Sequence, residues 1–115
     1  MTTKTRSNQS ATMRLLEDIA GGPLTIGGMI EAHRQGEEMS QAEMARQLGL
    51  SRSHLCDIEK GRKLVSPARA AAFAQALGFH EAQWVQVAIE DMLRTSGLHY
   101  SVRLEPARAR RVSSG

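Results

Sequence analysis

The stretch from Ser40 to Lys63, SQAEMARQLGLSRSHLCDIEKGRK, constrains the fold of this chain more than any other part. Ser40 followed three residues later by Glu43 has the form of a capping box, in which each side chain satisfies a backbone N–H left without a partner by the first helical turn. A short helix over Gln41 to Leu48 follows, with Met44, Ala45 and Leu48 on one face. Gly49 tolerates the left-handed conformation that ends a helix, so Gly49-Leu50-Ser51 predicts a tight turn. Ser51 then caps a second helix, Arg52 to Lys60, which Gly61 terminates. Its inward positions are Leu55 and Ile58, which leaves Arg52, Ser53, Cys56 and Asp57 facing outward. Ala45 is small where the two helices must cross closely.

The flanking sequence carries further helices by the same signals. Residues 1–12 are polar and without periodicity, and predict a disordered arm. Met13 to Ala20 places Leu15, Leu16 and Ile19 at helical spacing before Gly21-Gly22-Pro23 stops it. Thr25 can cap a helix running to about Gln35, with Ile26, Met29 and Ile30 as its stripe. Ser66 and Pro67 open a helix that passes Phe73 and Leu77 to Gly78. The last helix, about Glu81 to Thr95, is expected to turn Trp84, Ala88, Ile89, Met92 and Leu93 inward. After Gly97 the period changes to two, with Tyr100, Val102 and Leu104 on one side and His99, Ser101, Arg103 and Glu105 on the other. That alternation predicts a strand over 98–105, and Pro106 to Gly115 reads as a disordered basic tail. The expected fold is all-α: a five-helix domain within 13–97, its core motif at 26–79, with a short C-terminal strand.

Composition narrows the function classes. A chain of 115 residues holds one compact domain with tails, and its apolar content is 41% with only 3% aromatic, which suits helices better than sheets. The lone Cys56 excludes an internal disulfide and a multi-thiolate zinc site within one chain, and fits a reducing compartment. The polar start lacks a signal-peptide core, and no segment reaches the length of a membrane span, so the expected location is the cytoplasm with no membrane partner. His33, His54, His80 and His99 lack metal-site spacing, and no nucleophile–base set or phosphate-cradling glycine loop is present. Neither an enzyme nor a cofactor or metal is expected.

Charge is distributed unevenly. Across residues 31–43, Glu31, Glu37, Glu38 and Glu43 outweigh Arg34. Arg52, Lys60, Arg62, Lys63 and Arg69 outweigh Asp57 and Glu59 further on. Positive charge gathered on one element is what phosphate binding requires. Two short helices joined by a tight turn, the second polar and basic outside, have the form of a DNA-reading helix-turn-helix.

Residues 26–77 resemble the lambda-repressor-like (Xre-type) helix-turn-helix domain of phage repressors and bacterial regulators. IGGMIEAHR (26–34), SQAEMARQLGLSRSHLCDIEKGRK (40–63) and ALGF (76–79) carry the resemblance. It implies that Arg52, Ser53, His54 and Asp57 touch base edges, and that Gln41, Ser51, Lys60, Arg62 and Lys63 meet the phosphate backbone. It also implies an internal ion pair between Arg34 and Glu59. Glu31 stands where the family often has a basic residue, so no phosphate contact is assigned there. Asp57 would be repelled by phosphates unless it accepts from cytosine or orients Arg52. The partners expected are a double-stranded DNA operator and a second copy of the chain, joined through Tyr100, Val102 and Leu104. An alternative is the antitoxin of a toxin–antitoxin pair, which would also bind a small toxin protein and repress its own operon.

Overall fold

The structure, a computed structural model, describes residues 23–107. The arm expected over 1–12, the helical segment expected over 13–20 and residues 108–115 of the basic tail lie outside the described residues. Five helices follow one another: α1 (Ile26–Gly36), α2 (Gln41–Leu48), α3 (Arg52–Glu59), α4 (Pro67–Leu77) and α5 (Glu81–Thr95). The architecture is all-α, as the cap and stop signals require.

The predicted N-terminal caps are made by side chains at the expected positions. Thr25 Oγ1 accepts from the Gly28 N–H at 3.0 Å, Ser51 Oγ from His54 at 3.0 Å and Ser66 Oγ from Arg69 at 3.1 Å. Ser40 and Glu43 form the reciprocal capping box, at 3.1 and 2.8 Å. Each such cap contributes about 1 kcal/mol to its helix. The C-termini are equally uniform. Every helix closes with the two backbone bonds of a Schellman motif, the longer one running from the second residue past the cap back to the last full turn. Those longer bonds are Met39 to Arg34, Leu50 to Ala45, Arg62 to Asp57, Phe79 to Ala74 and Leu98 to Leu93, all 2.8–2.9 Å.

The core forms where α1 and α2 meet α3 and where α4 meets α5. Ile26, Ile30, Met44, Ala45, Leu55, Ile58, Val65, Phe73 and Trp84 are buried in it. At about 1.5–3 kcal/mol for each large side chain taken from water, this cluster is the principal favourable contribution to folding. Phe79 stacks on Trp84 at 5.4 Å and meets the edge of His33 at 4.9 Å, joining the α4–α5 corner to α1. The crossing of α1 over α3 is closer than side chains allow. A Cβ placed on Gly27 would stand 2.0 Å from the Ile58 carbonyl oxygen, so glycine is what lets the two backbones touch.

Two sequence expectations need correction. The inward face of α5 is Trp84, Val87, Ala88 and Asp91, whereas Ile89 and Leu93 are half-buried and Met92 is exposed. The apolar pattern put the stripe too far round because it follows apolar residues only and the buried face includes a carboxylate. The carboxylate is instead drawn inward, where Asp91 Oδ2 accepts from the Ile26 N–H at 3.2 Å and Oδ1 pairs with Arg94. A negative charge at the start of α1 also meets the positive end of that helix dipole. The second correction concerns 98–105. Among the described residues there is no strand, and the segment runs past α5 without regular secondary structure. A ladder needs an edge to pair with, and the described helices provide none. The Val102 N–H donates at 2.8 Å to Glu90 Oε2 on α5 instead.

Candidate nucleic-acid interface

The outer face of α3 gathers four of the residues expected to touch a ligand, Arg52, Ser53, Asp57 and the following Lys60. At about 100° per residue, Arg52, Ser53, Cys56, Asp57 and Lys60 share one arc. Arg52, Ser53 and Lys60 are exposed there, and Cys56 and Asp57 are half-buried. His54 falls at the edge of the arc and is half-buried, so it is less well presented than its neighbours. Leu55 and Ile58 fill the opposite face and seat the helix on the core. Ser51 is exposed at the N-terminal end, where its hydroxyl accepts the capping bond and keeps a proton to donate. Arg62 and Lys63, both exposed, follow the turn at Gly61 and extend the positive rim at the C-terminal end.

Behind this face lies the expected ion pair. Arg34 Nε and Nη2 donate to Glu59 Oε2 and Oε1 at 2.8 and 3.1 Å, a two-pronged pairing. Arg34 Nη1 also donates to the Met39 carbonyl at 3.2 Å, which ties in the α1–α2 turn. The Glu59 side chain is only 2% exposed and that of Arg34 15%. The hydrogen bond to Glu59 raises the Arg34 pKa above its already high ordinary value, so the guanidinium stays charged throughout. The pair locks the orientation of α3 to α1.

Sequence reasoning missed two contacts. Gln41 Nε2 donates to Glu59 Oε1 at 3.1 Å, which brings α2 into the same cluster. Asp57 Oδ1 pairs with Arg62 Nη1 at 3.2 Å, so the carboxylate is engaged by the residue beyond the turn and not by Arg52. The helical periodicity of α3 carries no signal for that pair, because Arg62 lies outside the helix.

A family model described as a helix-turn-helix domain matches residues 26–84, from the first residue of α1 to Trp84 on α5. The chain belongs to the helix-turn-helix domain family. This agrees with the lambda-repressor-like resemblance carried by 26–77. Two proteins of Bacillus phage phi105 are similar to it. The helix-turn-helix protein is 32% identical to the "Immunity repressor protein" over 89 residues, which cover 77% of this chain and 60% of that one. It is 46% identical to the "ImmF control region 10 kDa protein" over 41 residues, 36% of this chain and 46% of that one. It therefore spans less than two thirds of the length of either relative. No solved structure matches it. In this helix-turn-helix protein Tyr100 and Leu104 are exposed and Val102 is half-buried, on a segment separate from the α3 face. Among the described residues no helix is long and apolar enough to cross a membrane, and no cluster of His, Cys, Asp and Glu has the form of a metal site.

Proposed function

We propose that this protein is a sequence-specific DNA-binding transcriptional regulator that inserts α3 into the major groove of an operator and represses from there. The observation that carries the reading is the outer face of α3, polar and exposed at Arg52 and Ser53 and rimmed by Lys60, Arg62 and Lys63. The similarity to a phage immunity repressor supports the repressing sign. Arg52 and Ser53 read base edges, with His54 at the margin. Gln41, Ser51, Lys60, Arg62 and Lys63 meet phosphates, which fixes register without carrying sequence information.

One recognition helix reads only a few base pairs, so the regulator binds as a homodimer to two half-sites about 34 Å apart. The exposed segment at Tyr100 to Leu104 and the Met92 face of α5 are where the copies meet. The same segment is the observation that keeps an antitoxin reading in view, since a toxin could cover it in place of a second copy.

Selection of bound duplexes from a random pool, followed by affinity measurement on the selected operator, tests the reading. Arg52→Ala is expected to weaken operator binding by about 1–3 kcal/mol and to relax the preference at one base pair. Lys60→Ala is expected to weaken all duplexes alike and to reduce the salt slope by about one. Selection of no preferred sequence, or an Arg52→Ala protein with intact specificity, refutes it.

A further inference from the structure

All five helices end in the same Schellman turn, and the side chain that follows the turn distinguishes one of them. After α1, α2, α4 and α5 that residue is Met39, Leu50, Phe79 and Leu98. The apolar contact of this residue with the last helical turn is the usual companion of the motif. Met39 and Leu50 pack against the core and Phe79 stacks on Trp84. After α3 the same position holds Arg62, and the contact with the last turn is its ion pair to Asp57. The Arg62 side chain is 63% exposed and that of Asp57 28%.

Folding does not account for this choice. An exposed pair of this kind contributes close to nothing to stability, because solvent screens it and two side chains must be held still. Base reading is not what the geometry favours either, since Asp57 is half-buried and its Oδ1 is turned back to Arg62 beyond the turn. The pair does fix where the Arg62 guanidinium stands. One Nη is engaged by Asp57, and the remaining donors of the planar fork stay available for a second anion on the exposed side.

We infer that Asp57 is a positioning residue that holds the Arg62 guanidinium ready for a phosphate of the operator backbone at the C-terminal end of α3, and is not a base reader. The inference rests on the DNA-binding reading above and deepens it. Holding a long side chain in its bound rotamer before binding removes part of the ordering penalty, a gain equivalent to about a two- to tenfold change in affinity. The acidic charge by itself opposes phosphate, so simple loss of Asp57 would tighten binding if it did nothing for Arg62.

The test is a double-mutant cycle on the selected operator, with full-length protein and melting temperature followed alongside. Asp57→Ala is expected to weaken operator binding two- to tenfold when Arg62 is present, with melting shifted by no more than a few degrees. In the Arg62→Ala protein the same change is expected to leave binding equal or tighter. Asp57→Glu, which keeps the carboxylate, is expected to recover most of the affinity. The base preferences selected by Asp57→Ala should match those of the unaltered chain. Equal effects in both backgrounds, tighter binding with Arg62 present, or a loss confined to one base pair overturns the inference. Failure of the unaltered chain to select any operator overturns the DNA-binding reading itself, before any variant is compared.

Discussion

Gly27 shows how much of this fold depends on a missing side chain. In the interior of α1 a glycine lowers helix stability by about 1 kcal/mol relative to alanine, so the helix alone does not favour it. The contact with α3 does. An added Cβ would stand 2.0 Å from the Ile58 carbonyl oxygen, 2.9 Å from its carbon and 3.1 Å from the Glu59 Cα, and backbone atoms cannot swing aside as a side chain can. Gly27→Ala is therefore expected to destabilise the domain by about 3 kcal/mol, the upper end for forced overpacking, despite its better helix propensity. Urea unfolding measures this directly, and a neutral or stabilising change would mean that the helices do not cross where they are placed. At the neighbouring Gly28 an added Cβ would meet only the Thr25 hydroxyl at 3.2 Å, a side chain and not backbone, so Gly28→Ala is expected to cost much less than Gly27→Ala, at the expense of some strain on the cap that hydroxyl makes.

At the scale of elements, two carboxylates hold helices together from opposite ends of α1. Glu59 anchors α3 to Arg34 of α1 and Gln41 of α2. Glu59→Ala leaves the mostly buried Arg34 charge without its partner and is expected to lower stability by about 3–5 kcal/mol. Among molecules that still fold, operator preference is expected to stay unchanged, which binding assays at low temperature can separate from the melting loss. Asp91 anchors the last turns of α5 to the first N–H of α1. Burial raises its pKa from 3.8, against the lowering pull of the Ile26 N–H and Arg94. The folded protein then binds this proton more tightly than the unfolded chain does. That contribution is fully present below pH 3.8 and is lost as pH rises through the elevated folded value. Asp91→Asn keeps a carbonyl acceptor and removes the titration, so the unaltered protein should gain on the variant as pH is lowered toward 4. Parallel melting curves at all pH values would show that Asp91 does not titrate in that range. The caps, the glycine stops of α2 to α5 and the Arg34–Glu59 pair were legible in the sequence because each rests on local spacing or on the family resemblance; α1 instead runs through Gly36 and turns at Glu38. Asp91 and the Gln41–Glu59 bond were not, because a buried polar group is defined by partners 65 and 18 residues away, and single-helix periodicity reads it as surface. The same holds for Asp57, whose partner Arg62 follows a turn.

On the scale of the whole molecule, the question is what the chain does with the residues beyond the core. Among the described residues, every apolar residue of the buried cluster lies between Ile26 and Ala88. Beyond it Met92 is 42% exposed, Leu98 45%, Tyr100 68% and Leu104 36%, an apolar surface with little role in folding one copy. Among the described residues the alternating 98–105 segment forms no ladder, and its Tyr100 and Leu104 stay exposed. In the proposed homodimer, a second copy related by a two-fold axis would cover that face and at the same time bring a second α3 to the next half-site. Ending the chain after Gly97 removes the Leu98–Leu93 and Val102–Glu90 bonds but none of the buried cluster. The shortened protein is expected to fold with melting lowered by only a few degrees, to sediment as a monomer at concentrations where the full chain self-associates, and to lose most of its operator affinity. Loss of affinity follows because each half-site must then be bound independently, without the local concentration that linkage of two modules provides. Sedimentation and operator titration of the two proteins side by side decide the matter. A truncated protein that remains a tight dimer with full affinity would place the contact between copies elsewhere and leave the 98–105 segment to a different protein, the outcome an antitoxin would give.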